Sequence, residues 1–166
     1  LIADKADQFV TIDKHKTDFS LPDHEANKIQ FVQMNIPPLT GIPDNEFDFV
    51  ITFQVIEHIN KDKAFIDEIH RVLKRGGKLI VTTPNSKMSL TRNPWHVREY
   101  TVNQLEKLLR NKFESVKTLG VFGNEKVMEY YSKNKESVER ITKFDIFKLQ
   151  YRLPRWLLQM PYDILN

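Results

Sequence analysis

Apolar positions along the chain fall into two rhythms. DQFVTID at 7–13, KIQFVQMN at 28–35, FDFVITFQV at 47–55 and KLIVTT at 78–83 are short, nearly continuous apolar or β-branched runs, the pattern of strands covered on both faces. From Asn60 to Lys74 the spacing changes. Ala64, Phe65, Ile69, Val72 and Leu73 recur at helical intervals, while Lys61, Asp62, Asp67, Glu68 and Arg71 fill the opposite side. Gly76 and Gly77 are expected to end that helix by taking the left-handed conformation. Thr101 and Gln104 have the spacing of a capping box ahead of Val102, Leu105, Leu108 and Leu109, which predicts a second helix over 102–111. FESVKTLGVFG at 113–123 reads as a fifth, weaker strand. Residues 125–150 read as helix through Val127, Tyr130, Tyr131, Val138, Ile141, Phe144, Ile146 and Phe147.

Strands that alternate with helices and are apolar throughout need cover on both sides, so the fold class is an α/β sandwich with a mostly parallel sheet. PPLTGIPDNE at 37–46, with three prolines and a glycine, is a loop. The chain divides into a core over 1–122 and a helical extension or lid over 123–166. At 166 residues, 40% hydrophobic and 28% charged, it is long enough for one domain with a core. No apolar run nears the roughly 20 residues that span a bilayer. Cysteine is absent, which excludes disulfides and thiolate metal sites and fits a reducing, cytoplasmic setting. A net charge of +3 is too small for a nucleic-acid footprint, so DNA is excluded as a partner and RNA disfavoured.

Ligands of open parallel sheets collect beyond the carboxyl ends of the strands. The residues there are Asp13, Asn35, the stretch FQVIEH at 53–58 and TPN at 83–85. Asp13 can accept both hydroxyls of a nucleotide ribose, or it is a solvated turn aspartate. Asn35 can donate to and accept from adenine, or it is a turn residue before Pro37 and Pro38. At adjacent strand ends the two favour an adenosine-type cofactor.

FDFVITFQVIEHI followed by EIHRVLKRGGKLIVTTPN resembles the class I S-adenosylmethionine-dependent methyltransferases, in the type-11-like branch that includes ubiquinone-type O-methyltransferases. Arg75 stands where that family usually has proline. The resemblance runs from about Phe9 to Phe113. It implies a Rossmann-like three-layer sheet, S-adenosylmethionine as cofactor, Asp13 at its ribose, Asn35 and Ile36 at its adenine, and Phe53 and Gln54 by its methionine end. The family's Gly-x-Gly loop after the first strand is not found, since the only glycines are Gly41, Gly76, Gly77, Gly120 and Gly123. The expectation is therefore a missing segment upstream of Leu1, and a clipped C-terminus as well.

A sulfonium methyl is already activated, so alignment is the main task, and an alcohol or phenol acceptor also needs a base. His58, His96, Glu57 and Glu99 are the candidates, with His96 and His58 preferred as catalytic residues. Glu57, Trp95, Arg98 and Tyr100 are expected to line the acceptor pocket, or Trp95 and Tyr100 instead plug the sheet edge. If 54–58 begins a helical turn, Gln54, Glu57 and His58 share a face. With His96 they are similar to the Glu-x-x-Glu-His metal motif of small-RNA 2′-O-methyltransferases, but Gln54 replaces its first carboxylate, so no metal is expected. The expected function is methyl transfer to a small-molecule acceptor at oxygen. The alternatives are a noncatalytic methyltransferase-like binding domain, an RNA 2′-O-methyltransferase and a nicotinamide-dependent oxidoreductase. The tail RLPRWLLQMPY reads as a lid, a homodimer arm or a peripheral contact with acidic lipid.

Overall fold

The computed structural model of the chain describes residues 6–15, 28–142, 152–154 and 156–160. Its elements run β1 (Phe9–Asp13), β2 (Ile29–Gln33), β3 (Phe47–Phe53), a 3-10 turn (Ile56–His58), α1 (Asp62–Val72), β4 (Leu73–Thr82), α2 (Val102–Leu109) and α3 (Glu125–Thr142). The four strands and the first two helices come in the order the apolar rhythms predict, β1, β2, β3, α1, β4, α2. The predicted residues 143–150, with Phe144, Ile146 and Phe147, lie outside the described residues; in the tail, 156–160 are helical.

β1 and β2 pair in parallel, Phe9 opposite Ile29 and Asp13 opposite Gln33. β3 pairs with β4. The Glu46 amide donates to the Val72 carbonyl (2.8 Å) and the Gln54 amide to the Thr82 carbonyl (3.0 Å), so both chains advance in the same direction. Among the described residues these are two separate two-stranded sheets.

The described chain divides into two compact units. One comprises 1–50 and 61–78, the other 51–60 and 79–166. In the first, α1 buries Phe65, Ile66, Ile69 and Val72, a single stripe of the helix. Glu68 and Arg71 from the same helix fasten the proline-rich loop. Arg71 pairs with both oxygens of Glu68 (3.0 and 2.9 Å) and reaches the Ile42 carbonyl and Asp44 (2.8 and 2.6 Å), while Glu68 accepts from the Leu39 amide (2.8 Å). Hydrogen bonding from Arg71 holds the Glu68 carboxyl below the usual carboxylate range, against an opposing effect of burial. In the second unit Ile56, Ile59, Tyr100, Leu108 and Leu109 are buried.

Three expectations need correction. α1 ends at Val72 rather than at the glycines, and the chain passes straight into β4, which contains both. Gly76 is left-handed (φ 78°), and a Cβ on Gly77 would sit 3.1 Å from the Phe47 carbonyl oxygen, so glycine there lets β4 approach β3. Residues 113–123 carry no strand; Leu119, Val121 and Phe122 are exposed, leaving their apolar pattern without a partner strand. Gln54 does not begin a helical turn. It adopts φ 54°, and the 3-10 turn starts only at Ile56.

Candidate active site

The second unit gathers the polar residues that follow β3 and β4. Because Gln54 is left-handed, its side chain turns aside and donates from Nε2 to the Thr82 hydroxyl (3.2 Å). The expected shared face of Gln54, Glu57 and His58 therefore does not exist. Glu57 is instead fully buried. Its Oε2 accepts from the Thr83 hydroxyl (2.9 Å), and its Oε1 is buried with no protein partner. Such an unsatisfied oxygen costs about 1–3 kcal/mol unless something else engages it.

The segment 93–100 is held over this turn by its backbone. The Glu57 carbonyl accepts from the amides of Val97 (2.7 Å) and Arg98 (3.3 Å), and Asn85 bridges to Tyr100. These bonds bring the His58 and His96 rings to 4.9 Å, edge to face. A carbonyl only accepts, so His58, whose Nδ1 lies 3.1 Å from the Trp95 carbonyl, carries a proton on Nδ1. His96 Nδ1 likewise donates to Glu99 Oε1 (2.7 Å), and its Nε2 receives the Asn93 amide (3.0 Å). Asn93 is oriented for that role because its Oδ1 accepts from the Trp95 amide (2.9 Å). The other oxygen of Glu99 accepts from the Ser89 hydroxyl. The Asn93 amide thus makes His96 Nε2 an acceptor, the form a general base or a ligand needs.

A cavity of about 220 Å³ opens beside His96, lined by Ser86, Ser89, Thr91, Arg92, Asn93, Val97, Arg98 and Glu99 as well. Of the residues expected around the acceptor, Arg98 and His96 line it. Trp95 is 44% exposed, Tyr100 is 6% exposed, and neither they nor Glu57 contribute to its lining. Sequence reasoning missed Asn93, Ser86 and Ser89. An Asn before Pro94 signals only a turn, and nothing in its spacing marks it as a partner of His96.

In the first unit, Asp13 and Asn35 follow the adjacent parallel ends of β1 and β2, and both are exposed. The Asp13 carboxylate accepts from the His15 amide (2.7 Å), which fixes it at the turn and leaves its second oxygen for another donor. Both side chains thus offer acceptor atoms at the carboxyl ends of neighbouring strands. Ile36 is half-buried in the following loop. In the second unit Phe53 is 54% exposed and Gln54 is exposed at the end of β3.

Residues 2–81 match the family described as methyltransferase domain. A protein of Mycolicibacterium smegmatis named as a probable S-adenosylmethionine-dependent methyltransferase is 34% identical over 128 residues, 74% of this chain and 49% of that protein. The mitochondrial ubiquinone biosynthesis O-methyltransferase of Dictyostelium discoideum is 40% identical over 42 residues, 25% of this chain and 13% of its own length. Among solved structures, the YcgJ protein of Bacillus subtilis superposes with a TM-score of 0.55 at 15% identity, over 82% of this chain and 67% of that one, a likeness of fold alone. The chain is thus similar, over residues 2–81 and over the stretch shared with the mycobacterial protein, to S-adenosylmethionine-dependent methyltransferases. Its described residues form an α/β fold with a parallel β1–β2 pair, and S-adenosylmethionine is the cofactor named for the mycobacterial relative. The chain spans about half the length of the mycobacterial relative it matches.

Proposed function

We propose that the protein transfers a methyl group from S-adenosylmethionine to an oxygen of a small, polar acceptor. The observation that carries this reading is the His96–Glu99 pair at the cavity wall, with the His96 proton fixed on Nδ1 and Nε2 left basic. The cofactor supplies a methyl group on a sulfonium, a leaving group that needs no acid. An acceptor hydroxyl held in the cavity gives its proton to His96 Nε2, displacing the Asn93 amide. The Glu99 carboxylate stabilises the imidazolium that forms and keeps its ring oriented, the division of labour of a base and its orienting acid. As the proton leaves, the oxygen lone pair forms the new bond to the methyl carbon, and the electrons of the broken carbon–sulfur bond stay on sulfur.

Arg98 is assigned to a carboxylate or other anionic group of the acceptor, and the hydroxyls of Ser86 and Ser89 to its polar edge. Asp13 and Asn35 are assigned to the ribose and adenine of the cofactor; Ile36, Phe53 and Gln54 keep the cofactor roles implied by the family resemblance. Oxygen is favoured as acceptor atom because a neutral hydroxyl needs the base this site offers, and because the Dictyostelium relative is named as an O-methyltransferase.

The test is transfer of labelled methyl from S-adenosylmethionine onto pools of hydroxylated and carboxylated metabolites. Label is expected in an ether or ester product, and H96Q should lower kcat by about 10²–10⁴-fold, the usual contribution of a positioned base. A folded chain that binds the cofactor yet labels none of the pools would instead favour a noncatalytic binding domain.

A further inference from the structure

We infer that Glu57, His58 and His96 form a site for one divalent transition cation. One donor atom from each of the three lies within 4.8 Å of the others. Each of the three is anchored through one of its two donor atoms. Thr83 holds Glu57 Oε2, the Trp95 carbonyl holds His58 Nδ1, and Glu99 holds His96 Nδ1. That leaves Glu57 Oε1 and His58 Nε2 without a hydrogen bond among the described residues and His96 Nε2 on the Asn93 amide, and remote anchoring of this kind is how proteins orient metal ligands.

Independent support comes from Glu57 itself. Its Oε1 is buried and without a protein partner, an arrangement a cation would satisfy. The sequence argument against a metal rested on Gln54, and Gln54 faces Thr82 rather than this cluster. Two imidazole nitrogens and one carboxylate oxygen suit zinc, cobalt or manganese, whereas magnesium and calcium favour all-oxygen shells. Bonds of about 2.0–2.2 Å require the donors to draw together. His58 is exposed and has room to do so, and Asn93 must release His96 Nε2.

The inference goes beyond the proposed reaction. With an ion bound, the His96 lone pair would be committed to it, so His96 would serve as proton acceptor in the proposed reaction only in the ion-free chain.

The experiment is calorimetric titration of the chelator-treated full chain with zinc, with cobalt as a spectroscopic probe of imidazole ligation and with magnesium for comparison. One saturable site is expected, binding zinc much more tightly than magnesium. H58Q and H96Q should each weaken zinc binding by about tenfold or more, and E99Q by about 10–100-fold through the loss of ligand orientation. E57Q should abolish it; if that variant does not fold, H58Q, on an exposed ring, carries the test. No saturable zinc binding, or zinc affinity unchanged in both H58Q and H96Q, would overturn the inference. Stoichiometric binding without methyl transfer sustains the cation site and counts against the proposed reaction, while methyl transfer by a chain that binds no ion does the reverse.

Discussion

The Glu57 carboxylate is fully buried and has one protein donor among the described residues, the Thr83 hydroxyl. Replacing Thr83 by the isosteric valine removes that donor with little change of shape. T83V is expected to destabilise the chain by about 1–3 kcal/mol, the cost of a buried acceptor left unmade, read as a lower urea midpoint at unchanged slope. The stretch FQVIEH shows how far residue-level reading reaches. That polar groups gather after β3 was legible, since an apolar run ending in an amide, a carboxylate and an imidazole has no packing reason to do so. Their directions were not. Assigning Gln54, Glu57 and His58 to one face assumed helical backbone from position 54, and nothing in a glutamine announces a left-handed φ. The surroundings of His96 were equally hidden, because Asn93 meets its ring through a turn, and Ser89 meets Glu99, which holds the ring, through a loop rather than a periodic element.

Elements were easier to read than directions. The Thr101–Gln104 capping box is formed in both directions, Thr101 accepting from the Gln104 amide and the Gln104 side chain from the Thr101 amide, so the start of α2 was written in four residues. The end of α1 was not, since a pair of glycines serves a close strand pairing as readily as a helix cap. The apolar spacing at 113–123 fits a strand, but a strand needs a neighbour, and none pairs with it among the described residues. How α1 holds the loop at 39–44 was also invisible, because its charged face reads as solvated until the loop is folded onto it. That attachment depends on pH in a definite direction. Glu68 has a folded-state pKa below its unfolded value, so it contributes stability above the unfolded pKa, and the contribution is lost as pH falls through the folded one. E68Q is expected to cost about 1–2 kcal/mol near neutrality, discounted because its side chain and that of Arg71 are 22% and 30% exposed. The difference from the parent chain should shrink towards zero in thermal melts taken through the carboxylate range, below about pH 4.

For the molecule as a whole, the likeness to methyltransferases was legible from ordered motifs, while the residues lining the cavity beside His96 were not, because only folding brings those loop positions together. Binding linkage offers a global measurement. S-adenosylhomocysteine at a hundredfold excess over its dissociation constant should stabilise the folded chain by about 2.7 kcal/mol, seen as a raised Tm, and D13A should diminish the shift at the same concentration. Among the described residues no helix is long and apolar enough to cross a membrane. The Glu57 carbonyl, which receives the amides of Val97 and Arg98, joins segments some forty positions apart. Both histidines are carried on that one clasp, so their spacing is inherited from the backbone and does not wait for an acceptor to arrive. Ser86 and Ser89 at the cavity wall hang from the same segment, Ser86 through its amide on the Tyr100 carbonyl and Ser89 through its hydroxyl on Glu99, so reshaping that wall for another guest also tugs at the imidazole.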